Sequence, residues 1–205
     1  MQTTPGTSLN DVAPVVPARR GLLLALAGIA AGVCALDQVT KALAVDRLHP
    51  GDPHPLVGDV LGLHLIRNAG AAFSMATGVT WVLTVIAVVV VVVVVRSARR
   101  LGSTGWAVTL GLLLGGALGN LTDRLLRAPG FGRGHVIDFI DYGGLFIGNV
   151  ADIAIVVAAA AVAVQALRGV GLDGRSTHVH ADEQHDQLEQ PGRHGEPGDG
   201  QHRHG

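Results

Sequence analysis

Between residues 119 and 152 three carboxylates stand among apolar neighbours. Asp123 lies in Gly119-Asn120-Leu121-Thr122-Asp123-Arg124, Asp138 in Val136-Ile137-Asp138-Phe139, and Asp152 in Asn149-Val150-Ala151-Asp152. An ionisable group at membrane depth is costly unless it is paired or functional. Two carboxylates held close together do not both ionise easily, so the pair keeps one proton. One member then activates water while the other protonates a carbonyl, which is general acid and base hydrolysis of a peptide bond without a metal or a covalent nucleophile. Residue types leave open which two of the three form such a pair, and Asp123, at the end of an apolar run, is the most prominent.

Other chemistries are poorly supplied. The chain has no His-Glu-x-x-His for zinc, no Gly-x-Ser-x-Gly elbow and no phosphate-binding glycine loop. Ser74 lacks a His or Lys partner at a workable spacing, and His135 reads as a loop residue. Cys34 is the only cysteine, so neither an intrachain disulfide nor a cysteine metal site is expected. No metal and no cofactor are implied.

The elements that must position the carboxylates are apolar runs. Gly21 to Leu36 reaches spanning length, about 20 residues, by continuing through Asp37 and Lys41 to Ala44. A cleaved signal peptide ending at Ala42-Leu43-Ala44 is the other reading of this run, but Asp37 and Lys41 interrupt it. At i, i+4 those two pair on one face of a retained helix, which makes Asp37 a support rather than a catalyst. Val79 to Val95 is too long for a buried strand and reads as a second span, Gly105 to Leu121 as a third and Leu145 to Leu167 as a fourth. Gly111, Gly115, Gly116, Ala117 and Gly119 let neighbouring helices approach the third span closely. Trp81 and Trp106 fall near span ends, where indoles prefer to sit. Residues 46–78 carry three prolines and a loosely alternating stretch from Leu56 to Ile66, which predicts short strands. They end in Arg67-Asn68-Ala69-Gly70-Ala71-Ala72-Phe73-Ser74, small residues around one amide.

The expected fold class is therefore an all-α integral membrane protein, four transmembrane helices with a small extracytoplasmic β-containing patch. Its expected organisation is a disordered leader at 1–18, a membrane domain at 19–168 and a disordered His-, Gly- and Pro-rich tail at 169–205. With 15 basic and 16 acidic residues the chain has no basic stripe for nucleic acid. Arginines are densest in the 96–104 connection, and Arg19, Arg20 and Arg168 flank the same side, so that side and both termini are expected in the cytoplasm. Asp37, Asn68, Asp123, Asp138 and Asp152 then all fall at the outer leaflet.

At these residues the sequence resembles the bacterial lipoprotein signal peptidases, also called type II signal peptidases, over roughly residues 20–168. Five motifs carry the resemblance in order: Asp37-Gln38-Val39-Thr40-Lys41, Asn68-Ala69-Gly70-Ala71-Ala72-Phe73, Gly115 to Arg124, Val136-Ile137-Asp138-Phe139 and Asn149-Val150-Ala151-Asp152. The resemblance implies a four-span aspartyl endopeptidase of the bacterial plasma membrane. It would remove signal peptides from prolipoproteins, cutting before a diacylglyceryl-modified cysteine; apart from the resemblance, a monomer is expected. The resemblance also implies that Asp138 and Asp152 are the catalytic pair. Asn68, Gly70, Asn120, Arg124 and Asn149 would hold the substrate backbone and the catalytic groups, with Asp37, Lys41 and Asp123 in support. A guanidinium at Arg124 favours an ionised Asp123, which suits an anchoring salt bridge.

The sequence departs from that family in two places: Gly148 stands where a Phe usually precedes the last motif, with Phe146 two residues earlier, and Ile153 replaces a small polar residue. Two other classes are compatible with intramembrane carboxylates: a small transporter or proton-conducting protein, and a structural membrane protein whose aspartates only pair with Lys41 and Arg124.

Overall fold

A computed structural model describes residues 19–70 and 80–175. The leader, Ser74 and the histidine-containing tail lie outside the described residues. Helix α1 (Arg19–Arg47) is followed by strands β1 (His54–Val57) and β2 (Leu61–Asn68), helix α2 (Thr80–Ser97), helix α3 (Thr104–Leu126), strands β3 (Val136–Asp141) and β4 (Ile147–Gly148), and helix α4 (Val150–Leu167). All four helices are long and apolar enough to cross a membrane. The strands expected in the 46–78 connection form an antiparallel hairpin, and β3 and β4 extend it to a four-stranded sheet in the order β1-β2-β3-β4.

Helix α3 is central and packs against α1, α2 and α4. Its small residues make this possible, since no hydrophobic force separates helices from lipid and close packing must supply the attraction. A Cβ on Gly115 would lie 2.7 Å from Val33 Cβ on α1, and one on Gly116 would lie 2.6 Å from the Ala151 carbonyl oxygen on α4. The lipid-facing helices differ: α2 leaves most of its valines exposed along its length.

The sheet sits at one end of the bundle. Leu65, Ile137 and Phe139 from β2 and β3 pack on Ala44 and Leu48 at the end of α1. Asp37 and Lys41 lie toward that same end of α1, Asp123 is near the end of α3, and α4 starts there. At the opposite end the Arg19 side chain donates to the Arg99 carbonyl.

Three boundaries differ from expectation: helix α3 runs on to Leu126, past the expected end of the third span at Leu121. The fourth span begins at Val150 instead of Leu145, because Ile147 and Gly148 pair with β3 and Asn149 caps the helix. Hydrogen-bonded structure also continues past Arg168 to Arg175. The Leu172 carbonyl accepts from Gly102 N at 2.9 Å and the Val170 carbonyl from Trp106 Nε1 at 3.0 Å, which ties 169–175 to the start of α3.

Candidate active site

Asp138 stands on β3, opposite Ile66 of β2, and is almost fully buried. Both carboxylate oxygens accept side-chain amides: Oδ2 from Asn68 Nδ2 at 2.7 Å, and Oδ1 from Asn149 Nδ2 at 2.6 Å. Asn68 ends β2 and is turned toward Asp138 by its own neighbour, because Gly70 N donates to Asn68 Oδ1 at 2.8 Å. Gly70 has φ +118°, a conformation that L side chains rarely adopt. The glycine thus fixes the amide that reaches the carboxylate.

Asp152 occupies the first turn of α4. Its Oδ2 accepts the Asn149 backbone N–H at 3.1 Å, and its own N–H donates to Asn149 Oδ1 at 3.1 Å. This capping box satisfies helix-start donors that lipid cannot. The remaining oxygen, Oδ1, accepts from Asn120 Nδ2 of α3 at 2.8 Å. Asn149 Nδ2 also reaches Asn120 Oδ1 at 3.2 Å. A continuous chain Asp138–Asn149–Asn120–Asp152 therefore links the two carboxyl groups through two amides.

Burial, the largest effect, pushes the Asp138 pKa up to about 6, and the neighbouring Asp152 adds to it; the amide donors and Lys41 act in the opposite direction. A carboxyl group so placed keeps its proton well above the usual carboxylate range, which is what an acid working beside a second carboxylate requires.

The other two aspartates have a different environment. Lys41, wholly buried, places Nζ 2.8 Å from Asp37 Oδ2, 2.8 Å from Asp123 Oδ2 and 3.0 Å from Asn120 Oδ1. Asp37 Oδ1 accepts Ala151 N–H at 3.0 Å, tying α1 to the start of α4. Asp123 accepts from Arg127 Nε at 2.5 Å and from Ile137 N at 3.1 Å, which anchors β3 beside the helices. Gln38 Nε2 lies between the two carboxylates and donates to Asp37 Oδ2 at 3.1 Å and to the Gly119 carbonyl at 3.0 Å. Cations and backbone donors thus occupy both carboxylates.

The expected pairing of Asp37 with Lys41 is present, whereas the expected salt bridge of Asp123 with Arg124 is not. Arg127 takes that place, because i, i+4 residues share a helix face and adjacent ones do not. Arg124 is 8% exposed, and its Nη1 has no hydrogen-bond partner among the described residues. A buried guanidinium with a spare donor is suited to receive a carbonyl or carboxylate oxygen. Sequence reasoning gave no role to Gln38 or Arg127; the i+4 spacing of Arg127 from Asp123 was the available signal. His135 remains in the connection before β3. No group of three or more His, Cys, Asp or Glu side chains among the described residues is arranged to hold a metal ion.

Comparison with known proteins is consistent over most of the chain. The pattern of the family described as signal peptidase (SPase) II matches residues 29–168. A lipoprotein signal peptidase of Rhodococcus jostii (strain RHA1) is 53% identical over 161 residues, covering 78% of this chain and 80% of that protein. One of Mycobacterium avium (strain 104) is 51% identical over 170 residues, covering 83% and 92%. Among solved structures, one described as a bacterial membrane enzyme at 1.9 Å resolution superposes with a TM-score of 0.62 at 27% identity, covering 73% of this chain and 94% of that one.

Proposed function

The chain belongs to the signal peptidase II family, and from that premise we propose that it is an aspartyl endopeptidase whose catalytic pair is Asp138 and Asp152. As a member it is a membrane protease that removes signal peptides from prolipoproteins. The cut in this proposal falls on the amino-terminal side of a diacylglyceryl-modified cysteine.

One observation carries the assignment of the pair. Of the four aspartates, three buried and Asp152 half-buried, Asp37 and Asp123 have a cation on an oxygen, whereas Asp138 and Asp152 are joined only through neutral amides. A carboxylate oxygen taken up by a cation serves as an anchor and offers little room for a water or a substrate carbonyl, while oxygens held by neutral amides can exchange a proton with a substrate.

The reaction follows from this. Asp138, whose burial favours the protonated form, donates to the scissile carbonyl oxygen as ionised Asp152 takes a proton from water. The water oxygen bonds to the carbonyl carbon, giving a neutral tetrahedral diol, and the two carboxyl groups have exchanged roles. Asp152 then gives its proton to the amide nitrogen, Asp138 takes one from a diol hydroxyl, and the carbon–nitrogen bond breaks. The signal peptide leaves with a new carboxyl group and the lipoprotein with a free amino group, while both aspartates regain their starting protonation states. Arg124, with its spare donor, holds a backbone carbonyl of the extended substrate, whose polar groups need partners in an apolar site. The arginines at the opposite bundle end, Arg96, Arg99 and Arg100, favour a cytoplasmic position there, which supports a site at the outer leaflet.

The test is cleavage of a diacylglyceryl-modified prolipoprotein by purified protein in lipid or detergent. Wild type is expected to cut before the modified cysteine with or without a chelator, and folded Asp138→Asn and Asp152→Asn to be inactive. Cleavage by Asp138→Asn together with loss in folded Asp123→Asn would move the pair to Asp123 and Asp152.

A further inference from the structure

The connection between α2 and α3, at the end of the bundle away from the sheet, gathers positive charge. Arg96 stands in the last turn of α2, and a short 3-10 turn over Ala98–Arg100 adds Arg99 and Arg100. Among the described residues none of the three makes an ion pair. Arg19 of α1 donates to the Arg99 carbonyl and brings a fourth guanidinium to this end. A helix C-terminus presents about half a negative charge, which offsets only a fraction of theirs. Asp173, beyond α4, turns its carboxylate to Arg175 instead, with Oδ2 3.9 Å from Nε.

Arg96, Ser97, Arg99, Arg100 and Leu172 line a pocket of about 270 Å³. Its wall is held in place: Leu172 packs against the core cluster that includes Val94, Ala98 and Leu101, and its carbonyl accepts from Gly102 N at 2.9 Å. A Cβ on Gly102 would collide with the Asp173 carbonyl, so the glycine lets the 169–175 segment close the pocket. Ser97 makes no capping bond with its side chain and adds a hydroxyl to the wall. Val92, Val93 and Val95, each about half exposed, lead from the pocket along the apolar face of α2, a helix long enough to cross the membrane. Cations and a hydroxyl thus stand at the end of a face that meets lipid.

We infer that this pocket holds the phosphate of an anionic glycerophospholipid whose acyl chains lie along the valine face of α2. Like charges at i, i+3 and i+4 repel, and one anion shared among them removes that cost. Guanidinium groups match phosphate oxygens two bonds at a time. A soluble phosphate would meet the arginines but make no use of the adjoining valines, whereas a lipid presents its phosphate at the depth where a span ends, with its chains already beside them. Basic pockets at the ends of spans hold anionic head groups in this way. The inference is independent of which aspartates at the other end carry out catalysis.

Purified full-length protein, stripped of lipid in a neutral detergent, tests this with phosphatidylglycerol, phosphatidylcholine and inorganic phosphate as probes. Bound lipid is titrated by native mass spectrometry, and cleavage of a prolipoprotein confirms that each variant is folded. Wild type is expected to bind phosphatidylglycerol well and phosphatidylcholine, which has no net charge, much more weakly. Arg96→Gln, Arg99→Gln and Arg100→Gln should each weaken phosphatidylglycerol binding about fivefold. Arg168→Gln makes the same charge change at the end of α4, outside the pocket, and should leave binding nearly unchanged. Inorganic phosphate should not displace the lipid. Equal binding of the two lipids, undiminished binding by the three pocket variants, or equal weakening by Arg168→Gln and Arg99→Gln overturns the inference. Displacement by inorganic phosphate gives the pocket to a soluble anion and overturns the lipid assignment.

Discussion

Asn149 and Asp152 cap the same helix reciprocally, and each also holds a bond that the cap does not need: Asn149 Nδ2 to Asp138 and Asp152 Oδ1 from Asn120. The two side chains that start α4 thus also serve the candidate catalytic pair, Asp152 as a member and Asn149 as a donor to Asp138. Asn149→Ser keeps a capping oxygen but lacks the amide that reaches Asp138. Stability should change little, whereas Asn149→Ala should cost about 1 kcal/mol. Both should lose about a hundredfold in kcat, because misplacing a reacting group by about 1 Å has that effect. Thermal unfolding beside peptide cleavage separates the two effects, and a fully active Asn149→Ser would show that the bond to Asp138 is idle.

The raised pKa of Asp138 sets a pH dependence. The group is protonated below about 6 and loses its proton above it. With Asp138 as the acid of the pair, kcat/KM should decline as pH rises through about 6, since that quantity reports the free enzyme. Bound peptide excludes further water from the carboxyl group and favours its neutral form, so the same limb in kcat should lie at higher pH. In Asp152→Asn the neighbouring negative charge is gone, and the Asp138 carboxyl stretch in infrared spectra should titrate at lower pH than in wild type. A limb that does not move between kcat/KM and kcat would argue against Asp138 as the proton carrier.

Lys41 is buried between Asp37 and Asp123, so its removal leaves two carboxylates facing one another with one cation fewer. Breaking a buried pair from one side typically costs about 3–5 kcal/mol. Lys41→Met is expected to lower the unfolding temperature accordingly, and adding Asp37→Asn should return part of the loss, because the second change removes the uncompensated charge. Denaturation of the singles and the double as a cycle measures the coupling. A double variant no more stable than Lys41→Met would mean that Asp37 does not depend on Lys41.

The sequence displays the four spans because long apolar runs have one reading in a membrane, and it displays the Asp37–Lys41 pair because i, i+4 spacing is geometric. The start of α4 was legible in principle, since Asn149 with Asp152 three residues on is a capping-box pattern. Leu145 to Ile147 obscured it by being as apolar as a helix. Strands β3 and β4 are too short to show a period: β3 is buried at Val136 to Phe139 on consecutive residues, so it lacks the alternation that revealed β2. The proposed choice of Asp138 and Asp152 over Asp123 was beyond sequence physics. It depends on which cation reaches which carboxylate, and Lys41 arrives at Asp123 from a different helix.

Gly70 carries the last prediction. Its N–H holds the Asn68 amide against Asp138, and its φ of +118° is one that only glycine adopts without strain. Gly70→Ala forces the turn to relax, which should swing Asn68 Nδ2 away from Asp138 Oδ2 and lower kcat about tenfold to a hundredfold. KM should change less if the peptide is held chiefly elsewhere. The new Cβ would also lie 2.6 Å from Leu83 Cδ1, a second possible cause of damage. Gly70→Ala with Leu83→Ala removes that contact but not the backbone strain. Cleavage that stays low in the double variant assigns the effect to the turn, and cleavage that recovers assigns it to crowding against α2, leaving Asn68 as a bystander.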